Sequence, residues 1–105
     1  MDKNLTPLEA EEKIKAGGIS VLDVRTPEEY AEGHIGGSLN MDVSEPSFAQ
    51  GISVLDKNKE YLVYCRSGGR SSTAQEIMAK ASFRNVYNLS GGIIAWNRRG
   101  LPIIK

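Results

Sequence analysis

Cysteine is nearly absent: Cys65 is the only one in 105 residues. An intramolecular disulfide is therefore impossible, and a cysteine-based metal site lacks ligands. One histidine and scattered carboxylates add little to the case for a metal. Net charge is absent as well. Thirteen basic and thirteen acidic side chains cancel, which removes the electrostatic case for generic nucleic-acid binding or for docking on a charged membrane surface. No apolar run approaches the ~20 residues of a membrane span. Met1 to Pro7 has neither the basic start nor the apolar centre of a signal peptide, so cytoplasmic residence is the expectation. The apolar share of 40% and charged share of 25% are those of an ordinary globular chain, unlike a disordered one. At this length the expectation is a single domain over 1–105, burying about 65% of the surface its unfolded chain exposes.

The chain is organised around the stretch that holds the cysteine. Tyr61, Leu62, Val63 and Tyr64 form an uninterrupted apolar run, as in a parallel strand buried on both faces. Beyond the loop, Ala74, Ile77, Met78 and Ala81 recur at the spacing of one helical face. Between them, Cys65, Arg66, Ser67, Gly68, Gly69, Arg70 and Ser71 lie at a helix N-terminus. The first amides of a helix lack internal acceptors and have the positive end of the dipole behind them, and two glycines let the chain curl around an anion. That anion is the thiolate or a group bonded to it. Free cysteine ionises near ~8.5, and lowering this by about 1.5 pH units takes about 2 kcal/mol. An exposed helix dipole supplies only ~0.3 to 1 kcal/mol. Amide hydrogen bonds and at least one of Arg66 and Arg70 are thus expected to contribute, since no acidic residue stands between Cys65 and Ser71. Ser67, Ser71 and the amides of Gly68 and Gly69 add donors, with Ser71 also a candidate helix cap.

Elsewhere the chain alternates short helices and strands. Thr6, Pro7 and Glu9 predict a capping box opening a helix that runs to Ala16, where Gly17 and Gly18 stop it. Ile19 to Val24 reads as a strand. Thr26, Pro27 and Glu29 repeat the cap for a brief helix ending near Gly33. Ser38 to Val43 reads as a third strand, Ser47 to Leu55 as a helix weakened by Gly51, Asn85 to Leu89 as the last strand and Ile93 to Arg99 as the last helix. Such alternation predicts an α/β fold with a parallel sheet covered on both faces.

Three groups of residues together resemble the rhodanese sulfurtransferase family. The first is the loop from Cys65 to Ser71. The second runs through Asp23, Val24, Arg25, Glu28, Glu29, Tyr30, Gly33, His34, Ile35, Gly37, Ser38 and Asn40. The third comprises Gly91, Gly92, Ala95, Trp96, Gly100, Leu101 and Pro102. The likeness covers about Leu5 to Pro102, in the right order. It implies a five-stranded parallel sheet with helices on both faces and Cys65 as the nucleophile. Arg66, Ser67, Gly68, Gly69, Arg70 and Ser71 would then bind the substrate and the Cys65 persulfide, with no metal or cofactor. The expected partners are a small anionic sulfur donor such as thiosulfate and an acceptor such as cyanide, a thiol or a protein cysteine. The family's corresponding histidine makes His34 structural rather than a base for a thiol already ionised by its loop. Asp23 and Arg25 share a strand face and read as a brace, and Trp96 as packing.

Two alternatives differ in chemistry. A sulfur-carrying or protein-binding module of the same fold would show weak turnover. A cysteine-dependent phosphatase or arsenate reductase would also use a cysteine, a loop and an arginine. The phosphatase pattern spaces cysteine and arginine one residue further apart than Cys65 and Arg70, between which four residues stand.

Overall fold

The computed structural model describes residues 3–105; Met1 and Asp2, which the expected domain bounds include, lie outside them. Among the described residues, strands β1 (Asn4–Leu5), β2 (Ile19–Asp23), β3 (Leu39–Asn40), β4 (Glu60–Tyr64) and β5 (Asn85–Leu89) form one sheet, ordered β1-β5-β4-β2-β3. Every pair is parallel. The helices are α1 (Pro7–Ala16), α2 (Pro27–Glu32), α3 (Phe48–Ile52), α4 (Gly69–Lys80) and α5 (Gly92–Arg98).

Strand β4 lies at the centre of the sheet, and its residues alternate between two apolar layers. Tyr61, Val63 and Cys65 join Leu22, Val24, Phe48, Ile52, Ala74 and Met78 on the side of α3 and α4. Leu62 and Tyr64 join Ala10, Val21, Ile35, Leu89 and Trp96 on the side of α1 and α5. Burial on both faces explains why β4 reads as a continuous apolar run. Both expected capping boxes are formed, with the Glu9 and Glu29 amides donating to Thr6 and Thr26 Oγ1 and each glutamate accepting from the cap residue's amide. Asp23 and Arg25 form a buried ion pair, Nη2 to Oδ2 at 2.6 Å, and Arg25 also donates to the Gly33 carbonyl at 2.7 Å.

Four elements depart from expectation. The helix expected over Ser47 to Leu55 is only Phe48–Ile52, because the Ser53 and Leu55 amides turn to carbonyls three residues back. The third strand shrinks to Leu39–Asn40 at the sheet edge. Past it, the Asp42 carboxylate accepts from the Ser44 amide at 2.9 Å and bends the chain, a local turn that competes with the ladder. Strand β1 has no periodic signature in two residues, so only the family likeness anticipates a fifth strand. Helix α4 begins at Gly69, which places Arg70 and Ser71 in its first turn instead of the loop before it.

Candidate active site

Cys65 follows the last residue of β4, at the carboxyl end of the central strand, where open parallel sheets gather their ligands. The turn from β4 into α4 rests on Gly68, the helix N-cap, whose φ of 119° and ψ of −14° lie in a region disfavoured for residues with a Cβ. This turn aims the Gly68 N–H at Cys65 Sγ, 3.0 Å away. Ser71 Oγ, one turn into α4, lies 3.4 Å from the same sulfur. Ser71 therefore works from inside the helix and is not its cap. Cys65 is only 1% exposed, so its sulfur lies at the floor of a loop whose outer residues, Arg66, Ser67 and Gly69, are exposed.

Burial alone pushes the Cys65 thiol up. The Ser71 hydroxyl and the amides of Ser71, Gly68 and Ser67 outweigh it, and the net direction is down. Hydrogen bonds to the charged form thus prevail over desolvation, the pattern of a thiol prepared for nucleophilic work.

A second clamp holds the loop from behind. The Ile93 amide donates to the Cys65 carbonyl at 3.0 Å and the Ile94 amide to the Arg66 carbonyl at 3.2 Å. These are first-turn donors of α5, which has no earlier helical residues to give them to. The close approach requires glycine at position 92. A Cβ there would sit 2.5 Å from the Arg66 carbonyl carbon and 2.7 Å from the Cys65 oxygen, and closer still to the Arg66 oxygen.

The arginines divide. Arg70 donates two hydrogen bonds to Glu29 of α2, Nη1 to Oε1 at 2.7 Å and Nη2 to Oε2 at 2.9 Å. No acid stands between Cys65 and Ser71, as the sequence shows, but Arg70 is offset by a residue 41 positions away. Glu29 is held down to about 2, chiefly by the Arg70 hydrogen bonds. Its Oε1 also accepts from the Thr26 amide, so one carboxylate caps α2 and anchors Arg70. Arg66 is exposed and has no ion pair or side-chain hydrogen bond among the described residues. It lines a concavity of about 200 Å³ with Arg25, Glu32, Ile94 and Asn97. Ser67 borders a larger one of about 510 Å³, with Pro7, Gly91, Ile94, Ala95, Arg98 and Arg99.

His34 is not beside the thiol. Its Nδ1–H donates to the Tyr30 carbonyl at 2.8 Å, its ring stacks on Tyr30 at 3.7 Å, and its backbone bridges to Ile104. Trp96 is buried and donates from Nε1 to the Pro102 carbonyl at 2.9 Å. Among the described residues, no three His, Cys, Asp or Glu side chains converge as metal ligands. Sequence reasoning did not single out Asn88, whose Oδ1 accepts from Ser71 Oγ at 2.6 Å. An asparagine inside a strand carries no local signal of such a contact.

An α/β domain with a buried cysteine facing amide donors at a helix N-terminus defines a class built for sulfur or anion chemistry. Comparison with known proteins narrows it. Residues 6–99 match the Rhodanese-like domain, and the chain belongs to that family. A sulfurtransferase of Allochromatium vinosum is 38% identical over 86 residues, covering 82% of this chain and 78% of its own. Thiosulfate sulfurtransferase 16, chloroplastic, of Arabidopsis thaliana is 37% identical over 99 residues, with 81% and 79% covered. The crystal structure of a rhodanese-related protein from Thermoplasma volcanium superposes with a TM-score of 0.87 at 31% identity, covering 97% of each chain. Family and relatives together support sulfurtransferase activity in general.

Proposed function

We propose that this protein moves sulfane sulfur from an anionic donor, with thiosulfate the model, through a persulfide on Cys65 to cyanide or a thiol. The observation that carries the reading is Cys65 Sγ with the Gly68 N–H at 3.0 Å and Ser71 Oγ at 3.4 Å. In the first half, a lone pair of the Cys65 thiolate attacks the outer sulfur of thiosulfate. The donor's S–S bond breaks, and sulfite leaves with that electron pair. In the second half, the acceptor attacks the outer sulfur of the persulfide and the electron pair of the S–S bond returns to Sγ. This is covalent double displacement.

The chain's residues take distinct parts in this scheme. The amides of Ser67, Gly68 and Ser71 hold negative charge without rearranging, which is the economical way to stabilise it. Arg66, exposed and unpaired among the described residues, meets the donor's oxyanion and the departing sulfite. Arg70, already joined to Glu29, fixes the start of α4 and adds a more distant positive charge. The aliphatic and arginine-lined concavity beside Ser67 offers room for an acceptor.

Turnover of thiosulfate with cyanide, run beside hydrolysis of p-nitrophenyl phosphate, tests the assignment. Thiocyanate formation that is lost in Cys65→Ser, with negligible phosphate release, is the expected outcome. A phosphoryl group needs its three outer oxygens surrounded by donors, and the span from Cys65 to Arg70 is one residue shorter than the phosphatase pattern. Cys65-dependent phosphatase activity without sulfur transfer would overturn the reading.

A further inference from the structure

The Ser71 hydroxyl has one proton and three neighbours able to accept it. Asn88 Oδ1 is at 2.6 Å, the Gly68 carbonyl at 3.2 Å and Cys65 Sγ at 3.4 Å. Ser71 is fully buried, and Cys65 and Asn88 are 1% and 7% exposed, so water has little part in settling the competition. By distance, the proton lies toward Asn88. A neutral thiol tolerates this, since its S–H can donate to Ser71 Oγ in turn. A thiolate cannot donate, and it gains most if Ser71 turns its proton to sulfur, which leaves the Asn88 oxygen without a partner. An unmet buried acceptor is costly.

We propose that Asn88 is a positioning residue that competes with Cys65 for the single Ser71 proton, yielding it to the free thiolate and reclaiming it once the negative charge has moved onto a transferred sulfur. The second half of this statement rests on the sulfur-transfer reading above. When the thiolate lone pair forms the new S–S bond and sulfite departs, Sγ becomes a neutral sulfide and a poor acceptor. The charge then sits on the outer sulfur among the loop amides, and Ser71 returns to Asn88. Asn88 therefore disfavours the empty thiolate relative to the loaded state, and so biases the site toward carrying sulfur.

The charged groups around Cys65 are Arg70 on α4, with Glu29 of α2 and Asp42 after β3 acting on Arg70 in turn, and the adjacent Arg66. Among the described residues, none of these hydrogen-bonds to Ser71 Oγ or Asn88 Oδ1. Asn88 projects from β5, where it pairs with Val63, two residues before Cys65, and its backbone amide is held separately by the Lys3 carbonyl at 2.8 Å.

The test is the pH dependence of Cys65 alkylation by iodoacetamide in the unloaded protein. Ser71→Ala, which removes the donor, is expected to raise the midpoint by about half to one pH unit, and Asn88→Ala to lower it by a similar amount. Asn88→Leu, close in size and without an acceptor, guards against a cavity effect and should also lower it. Because Asn88 acts through Ser71, adding Asn88→Ala to Ser71→Ala should leave the midpoint where Ser71→Ala put it. A cooperative urea transition with the wild-type slope identifies a folded variant. Upward movement in the folded Asn88 variants, or an undiminished effect without Ser71, would overturn the competition. At a fixed ratio of thiosulfate to sulfite, the loaded fraction should fall several-fold in Asn88→Ala and Asn88→Leu. An unchanged fraction would overturn the bias toward the loaded state. Alkylation needs no sulfur donor, so a wild-type protein that thiosulfate fails to load would refute sulfur transfer while leaving the competition for the proton standing.

Discussion

Replacing Gly92 by alanine should damage the protein far more than its single added methyl suggests. Two costs arise at once. Gly92 has a φ of +62°, where an L-residue pays roughly 1–2 kcal/mol. The new Cβ would also press against three backbone atoms of Cys65 and Arg66, and overpacking typically costs about 1–3 kcal/mol. The expected loss is therefore about 2–5 kcal/mol, a large fraction of the ~5–15 kcal/mol that holds a small domain together. No flexible side chain can move aside to relieve it. Relief requires α5 to back away, which stretches the Ile93 and Ile94 hydrogen bonds to the Cys65 and Arg66 carbonyls and loosens the loop. Urea unfolding measures the stability, and iodoacetamide alkylation of the folded fraction reports the loop. Gly69→Ala is the control: its Cβ meets nothing within 4 Å, the position is helical, and alanine there should be neutral or stabilising by up to ~1 kcal/mol. A Gly92→Ala protein within about 0.5 kcal/mol of wild type would refute the claim that α5 and the loop are locked by close backbone contact.

Two further outcomes follow from the arginines. Arg66→Ala should raise the Michaelis constant for thiosulfate roughly two- to fivefold, as befits an exposed ionic contact, while leaving the alkylation rate nearly unchanged; a slower alkylation instead would give Arg66 a part in holding the thiolate. The Glu29 carboxylate ionises lower folded than unfolded, so the stability it contributes is present above its ordinary value of 4.5 and fades as pH falls toward about 2. Solvent exposure keeps that contribution to no more than about 1 kcal/mol. Glu29→Gln should remove this part of the acid sensitivity, and identical pH profiles of urea stability in the two proteins would contradict the assignment.

What could be read in the sequence is what the chain encodes locally. Thr6 with Glu9 and Thr26 with Glu29 announce their helices because a capping box closes within four residues. The Cys65 loop is legible for the same reason, since an apolar strand, two glycines and a helical face are contiguous. Ser71 shows the limit of that reasoning. A serine near a helix start suggests a cap, but Gly68 in a left-handed conformation starts α4 earlier and turns Ser71 toward sulfur. The Glu29 contact with Arg70 and the Asn88 contact with Ser71 depend on which strands and helices lie side by side. No pattern along the chain reports such a pairing. Strand β1 was invisible because two residues have no period, and its place in the sheet comes from pairing with β5.

The most direct measurement is the intact mass of the protein after incubation with thiosulfate and removal of excess reagent. The account predicts that wild type gains one sulfur atom, that Cys65→Ser gains none, and that cyanide or excess thiol returns wild type to its original mass. With no second cysteine to attack it, the loaded form should persist while acceptors are withheld. An unchanged wild-type mass, or an equal gain in Cys65→Ser, would contradict the proposal that Cys65 carries the sulfur.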